Sequence, residues 1–190
     1  MKKGARNLNR TCCFTGYRPH RFHFTPDGLR PEHVQDALLR QIVRLYDEGY
    51  RTFITGMCVG VDLWAAEAVV ALQREHPEVK LVAAIPFEGQ ESTWSQAARR
   101  QYNRVRQLCQ KVEVLSETGG SAAYLHRNRW MVDSADTVLA VCGITVADNR
   151  SGTAATVRYA RQKQKRIVYI DPVTLATTEE TVQQLQFTMD

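Results

Sequence analysis

Three times along this chain an apolar, strand-like run gives way to a glycine-bearing turn. The junctions read Phe14-Thr15-Gly16-Tyr17-Arg18-Pro19, Thr55-Gly56-Met57-Cys58-Val59-Gly60-Val61-Asp62 and Arg150-Ser151-Gly152-Thr153. The last two lead straight into helix-like runs. Small residues at such a junction let an anion approach the backbone. The first N–H groups of a helix have no partner inside it and point outward at that anion. Three such junctions at one sheet edge would gather into one pocket.

The rest of the pattern supplies that sheet. Strand-like runs fall at 10–14, 52–54, 81–85, 112–115, 137–142 and 166–170, and helix-like runs lie between them. Pro31 suits the first turn of a helix in which Val34, Ala37, Leu38, Ile42, Leu45 and Tyr46 recur at helical spacing, with Gly49 as its stop. Leu63, Ala66, Val70 and Ala71 mark the next helix, and Trp94 opens a stripe that runs to Leu108. Near-continuous apolar strands require cover on both faces, hence a mainly parallel sheet with helices on either side. The expected fold class is α/β, a Rossmann-like doubly wound sheet in one domain, with the pocket off the carboxyl ends of the strands where strand order reverses. We expect a flexible N-terminus over 1–9, the domain over 10–172 and a C-terminal tail over 173–190.

Composition narrows the class of protein. A length of 190 residues suits a single core, and 44% hydrophobic with 24% charged residues is ordinary for a soluble domain. No apolar run approaches the roughly 20 residues of a membrane span, and no signal-like segment follows the basic N-terminus; a cytoplasmic protein without membrane partners is expected. The five cysteines, Cys12, Cys13, Cys58, Cys109 and Cys142, form no Cys-x-x-Cys pair and mostly sit in apolar runs, so they read as core residues rather than a disulfide or metal framework. No metal site is expected. Arginine outnumbers lysine 19 to 6 in a chain of net charge +5, which suits an anionic ligand and equally a solvated basic surface. Arg99, Arg100, Arg104 and Arg106 form one local cluster, so nucleic acid is a possible partner, though not the favoured one.

Each motif carries a functional and a structural reading. At the first junction Thr15, Gly16 and Arg18 can meet a phosphate, or Gly16 can supply a positive φ at a strand exit. The Gly-x-Gly-x-x-Gly of dinucleotide folds is absent. At the second, Gly56 and Gly60 admit a phosphate, while Asp62 binds ribose hydroxyls or serves the helix N-terminus. Glu67 follows two alanines that permit close packing against a neighbouring backbone or ligand. Gln90 can read a base edge; Trp94 reads more readily as core. Arg127 and Asn128 can reach a ligand at the sheet edge. Ser151, Gly152 and Thr153 bind phosphate or cap a helix. Glu67, Asp62 and Arg127 are the catalytic candidates if any reaction occurs.

Together these stretches resemble the YpsA/YoqJ-like branch of the SLOG superfamily, whose other members include DprA and the LOG cytokinin-activating enzymes. The matching residues are Thr15-Gly16-x-Arg18-Pro19, Gly56-Met57-x-x-Gly60-x-Asp62-x-x-Ala65-Ala66-Glu67, and Pro86-Phe87-x-x-Gln90-x-x-x-Trp94 with Tyr102. Arg127-Asn128-x-x-Met131-Val132-Asp133-x-Ala135-Asp136 and Gly152-Thr153 complete the set, spanning about residues 10 to 171. The resemblance implies a Rossmann-like fold, a nucleotide or nucleotide-derivative ligand at the glycine loops with no other cofactor required, and pairing into homo-oligomers. Two departures stand out. Ser151 replaces the first glycine of a Gly-Gly-Thr junction, and Thr156 stands where LOG-type phosphoribohydrolases carry a glutamate. The expected function is binding or sensing of a nucleotide or derivative such as ADP-ribose, NAD or a nucleoside phosphate. N-glycosidic hydrolysis and DprA-like single-stranded DNA binding are the alternatives.

Overall fold

Seven strands form one sheet in the order β4-β3-β2-β1-β5-β6-β7 in the computed structural model, which describes residues 9–143 and 151–181. The strands are β1 (Arg10–Gly16), β2 (Tyr50–Thr55), β3 (Lys80–Ile85), β4 (Lys111–Val114), β5 (Thr137–Val141), β6 (Arg166–Ile170) and β7 (Thr177–Glu180). Five helices connect them: α1 (Pro31–Asp47), α2 (Val61–Gln73), α3 (Gln96–Leu108), α4 (Ser121–Asp133) and α5 (Gly152–Gln162). Every pairing from β4 across to β6 is parallel, and β7 adds antiparallel to β6. The segment read as a tail from 173 thus contributes an edge strand. It is fastened by Arg161 to Glu180 at 2.6 Å and by Arg166 to Glu179 at 2.9 Å. The N-terminal segment through residue 8, Arg150 of the third junction and the last nine residues lie outside the described residues.

Two cores result from the period-two alternation of the strands. On one face Cys12, Phe14, Leu139, Val141, Val168 and Ile170 meet α1, α2 and α3. On the other, Cys13, Val138, Ala140, Ile167 and Tyr169 meet α4 and α5. All are fully buried or nearly so, as strands covered on both faces require. Trp94, read as core, precedes the Ser95 cap of α3 and meets Tyr102 edge-on at 5.7 Å.

The sheet has one point where strand order reverses. From β1 the chain steps outward through β2 and β3 to β4, always by way of the first face; α4 then returns it to β5, on the opposite side of β1. Right-handed crossovers require that change of face. β1 and β5 stay paired to their carboxyl ends, with Gly16 opposite Val141, and the N-termini of α2 and α5 arrive there from opposite faces. No helix of the described residues is long and apolar enough to cross a membrane.

Candidate functional site

A cavity of about 210 Å³ opens at this crevice, lined by the end of β1, the β2–α2 loop, α4 and the start of α5. Nine of the residues singled out from sequence reach it: Thr15, Gly16, Arg18, Asp62, Arg127, Asn128, Ser151, Gly152 and Thr153. The junctions at 16 and 152 therefore do meet, and Thr153 Oγ1 donates to the Gly16 carbonyl at 2.9 Å. Ser151 caps α5 by accepting from the Ala154 amide at 3.1 Å. Thr156, in the position where a glutamate was noted as missing, is buried and donates its hydroxyl to the Gly152 carbonyl at 2.9 Å.

The β2–α2 junction is built differently. Several of its backbone groups are bonded within the protein: the Met57 amide donates to Thr55 Oγ1 at 3.1 Å, Cys58 to Asp62 Oδ2 at 3.3 Å and Leu63 to the Cys58 carbonyl at 3.2 Å. Asp62, in the first turn of α2, bonds back to the loop and does not cap the helix. A Cβ on Gly56 would overlap Arg127 Nη1 and stand 2.6 Å from Asp62 Oδ2. Gly60 holds φ +99° and would place a Cβ 2.9 Å from the Tyr17 carbonyl. Gly56 and Gly60 lie beside the cavity and do not line it; their small size admits protein. Gly16 is similar in part, since a Cβ there would meet Val61 at 2.6 Å; its φ is not positive, so close helix approach is what requires it.

Arg127 anchors the floor. It is 4% exposed, and its guanidinium donates to the Gly56 carbonyl, to the Ala84 carbonyl at 3.4 Å and, through Nε, to Asn128 Oδ1 at 2.8 Å. Asp62 answers its charge. Burial pushes the Asp62 carboxyl above the usual carboxylate range, and the neighbouring Arg127 pulls it partly back. Arg18 and Arg127 both donate to Cys58 Sγ, at 3.6 and 3.4 Å. Sequence placed no cation beside that thiol, because both arginines arrive from other elements.

Two of the sequence-predicted residues stand elsewhere. Glu67 faces α3, bonded to Arg104 and to Gln101 at 2.9 Å; helical spacing turns it away from Asp62. It is no part of the cavity, and its two alanines pack into the core. Gln90 is buried below the β3–α3 connection beside Tyr102, away from the cavity. Sequence reasoning missed Tyr17, Arg21 and Tyr124 as lining residues. Arg21 lies over the Tyr17 ring at 4.6 Å; only the density of polar groups around Tyr124 hinted at that wall. Among the described residues, no group of three His, Cys, Asp or Glu side chains could hold a metal ion.

A doubly wound α/β domain with a cationic cavity at its switch point is the class these features define. Residues 12–175 match the profile of the YspA SLOG family, and the chain belongs to that family. It is 31% identical over 128 residues to a UPF0398 protein of Halalkalibacterium halodurans, covering 66% of this chain and 68% of the relative. It is 28% identical over 137 residues to the UPF0398 protein YpsA of Bacillus subtilis, covering 66% and 71%. A longer match, 26% over 176 residues, links it to a UPF0398 protein of Bacillus licheniformis, covering 91% and 95%. Among solved structures it shares its fold with DNA processing protein A from Helicobacter pylori, at TM-score 0.57, 15% identity, and coverage of 96% of this chain and 73% of that one. The Streptococcus pneumoniae DprA gives TM-score 0.56 at 18% identity, with 88% of this chain spanning 52% of the other.

Proposed function

We propose that this protein binds or senses a nucleotide or nucleotide derivative in the switch-point cavity, with phosphate held at the start of α5. The observation that carries this reading is the meeting, in one cavity, of the first turn of α5 with Arg18 and Arg127. The helix end offers amides and a positive dipole end, and a guanidinium offers paired donors to phosphate oxygens. Asn128 and Tyr124 supply further polar and aromatic wall.

The test is calorimetry and thermal shift with a panel of nucleoside monophosphates, cyclic nucleotides, NAD and nucleoside diphosphate sugars. At least one ligand is expected to raise Tm and to bind with defined stoichiometry. Arg18→Ala should weaken it about tenfold, the size of one charge-assisted contact. A flat response across the panel sinks the reading.

One observation favours a second reading. Asp62 is the one carboxylate that lines the cavity among the described residues, so N-glycosidic cleavage, with a carboxylate stabilising positive charge on the ribose, would fall to it. Free base released from a bound nucleotide, and lost in Asp62→Asn, would establish that chemistry. The solved structure of the Helicobacter pylori relative concerns single-stranded DNA binding. Here Arg104 and Arg106 of the α3 cluster are paired with Glu67 and Glu88, and Arg99, Arg100 and Arg104 are exposed. A gel shift that stays blank at low salt would dismiss that role.

A further inference from the structure

α3 carries an unbalanced charge. Four of its residues are arginines, Arg99, Arg100, Arg104 and Arg106, and none is a carboxylate. Only Tyr102 and Val105 are buried, so the helix packs on the domain through a narrow stripe. Arg100 and Arg104 are both exposed and stand one turn apart, a like-charge pair that weakens a helix. Arg104 is paired with Glu67 and Arg106 with Glu88, whereas Arg99 and Arg100 are in no ion pair among the described residues.

Beside Arg100 and Arg104 lies an open groove of about 690 Å³. α3 lines it with Ala97 and Ala98, and across from them stand Trp64 of α2, Pro19 and Val59. The lining is small and aliphatic except for Trp64. That ring belongs to the core: the residue is 8% exposed and packs on Phe22 and Phe24 at 5.8 and 6.3 Å.

An apolar floor with guanidiniums beside it selects its occupant. A guanidinium pairs in a fork with a carboxylate, and alanines let an aliphatic side chain come close to the helix. Single-stranded nucleic acid needs aromatic faces on which its bases stack, and the one aromatic ring that lines this groove is spent on the core. A phosphodiester chain also brings a negative charge past Glu67 at every step. A peptide can space its carboxylates.

We propose that the groove between α2 and α3 docks an acidic segment of another protein. One apolar side chain of that segment rests on Ala97 and Ala98, and carboxylates flanking it pair with Arg100 and Arg104, the mode in which arginine clusters read acidic motifs. The proposal goes beyond the nucleotide reading and does not rest on it, because neither arginine lines the switch-point cavity.

The experiment is fluorescence anisotropy on the full chain at fixed low salt with three labelled octapeptides. The first has a central leucine flanked by two glutamates on each side; the second replaces the glutamates with glutamine, and the third replaces the leucine with serine. An eight-nucleotide oligothymidylate is the fourth probe. The first peptide is expected to bind, and the other two to bind about tenfold more weakly. Arg100→Gln together with Arg104→Gln should bring the first peptide down to the level of the second. Ala97→Glu, which sets a carboxylate on the floor itself, should weaken it as much. All three positions are exposed, so circular dichroism should show an unchanged helix content. Equal binding of the leucine and serine peptides would reduce the groove to a basic patch and overturn the proposal. So would affinity untouched by these variants, or no binding of the first peptide up to about 1 mM protein. Tighter binding of the oligothymidylate, lost in Arg100→Gln, would assign the surface to nucleic acid and overturn it as well. None of these outcomes bears on nucleotide binding at the switch point, which its own ligand panel decides.

Discussion

The β2–α2 junction and the start of α5 look alike as sequence: a strand, a glycine, a helix. In the folded chain they do opposite things. Around Gly56 and Gly60 the space a side chain would fill is taken by Arg127, Asp62, Pro19 and the Tyr17 carbonyl. Around Gly152 the described residues bring only Asn128 within 4 Å. The loop amides at 57 and 58 are bonded inside the protein, while the first turn of α5 faces the cavity. A glycine loop can hold a scaffold together or receive a ligand, and what decides is whether another element of the protein has already moved in.

The sharpest way to break this contrast is Arg127→Ala. It removes a buried cation, strands the Gly56 and Ala84 carbonyls and leaves Asp62 without its answering charge. Each buried carbonyl left without its donor costs about 1–3 kcal/mol. For a chain of this size the two together correspond to a fall in Tm of about 10 °C, read by thermal denaturation without ligand. A melting point within about 2 °C of wild type would show that the scaffold does not depend on Arg127.

Gly56→Ala comes next. Its Cβ meets a guanidinium and a carboxylate that are themselves fixed, so overpacking should cost about 1–3 kcal/mol. Gly152→Ala, at the exposed first residue of α5, should shift stability by less than about 0.5 kcal/mol, as surface changes do. Chemical denaturation of the two variants side by side tests the comparison directly, and equal losses would erase it.

A pH series sharpens it further. Burial raises the Asp62 pKa, so the carboxyl takes up its proton earlier, on acidification, in the folded protein than in the unfolded chain. The stability it contributes is fully present below its unfolded pKa and is lost as pH rises through the folded one. Protonation also removes a negative charge from the cavity. Affinity for an anionic ligand that does not itself titrate should therefore rise by a few-fold as pH falls through the folded pKa, and Asp62→Asn should flatten the profile at its acid-side value. The opposite slope would assign Asp62 to a ligand hydroxyl, a bond that the ionised carboxylate makes better.

Much of the architecture was legible because strand and helix periods are local. Val34, Leu38 and Ile42 declare the buried face of α1 without knowledge of what covers it, and β5 declares cover on both faces by having no polar gap. The mainly parallel order follows from the alternation of elements. β7 was not legible, because Thr177–Glu180 is polar and becomes a strand by pairing with β6, where Arg161, Arg166 and the distant Arg44 meet its glutamates. The site was half legible for the same reason. Arg18, Asn128 and Gly152 could be named from their motifs, but that Gly56 is occupied by Arg127 depends on a contact 71 residues away.

Glu67 gives the smallest expected effect and the cleanest control. It sits one and a half turns beyond Asp62 in the same motif, yet its carboxylate serves Arg104 and Gln101 on the far side of α2. Arg104 is 67% exposed, so solvent screens the pair and Glu67→Gln should cost no more than about 0.5 kcal/mol. Ligand affinity and any base release should stay at wild-type levels, because nothing in the cavity touches this side chain. A tenfold loss of binding in Glu67→Gln, with Tm unchanged, would mean that the ligand reaches across Trp64 to α3. The contrast between an occupied junction and an open one would then no longer locate the site.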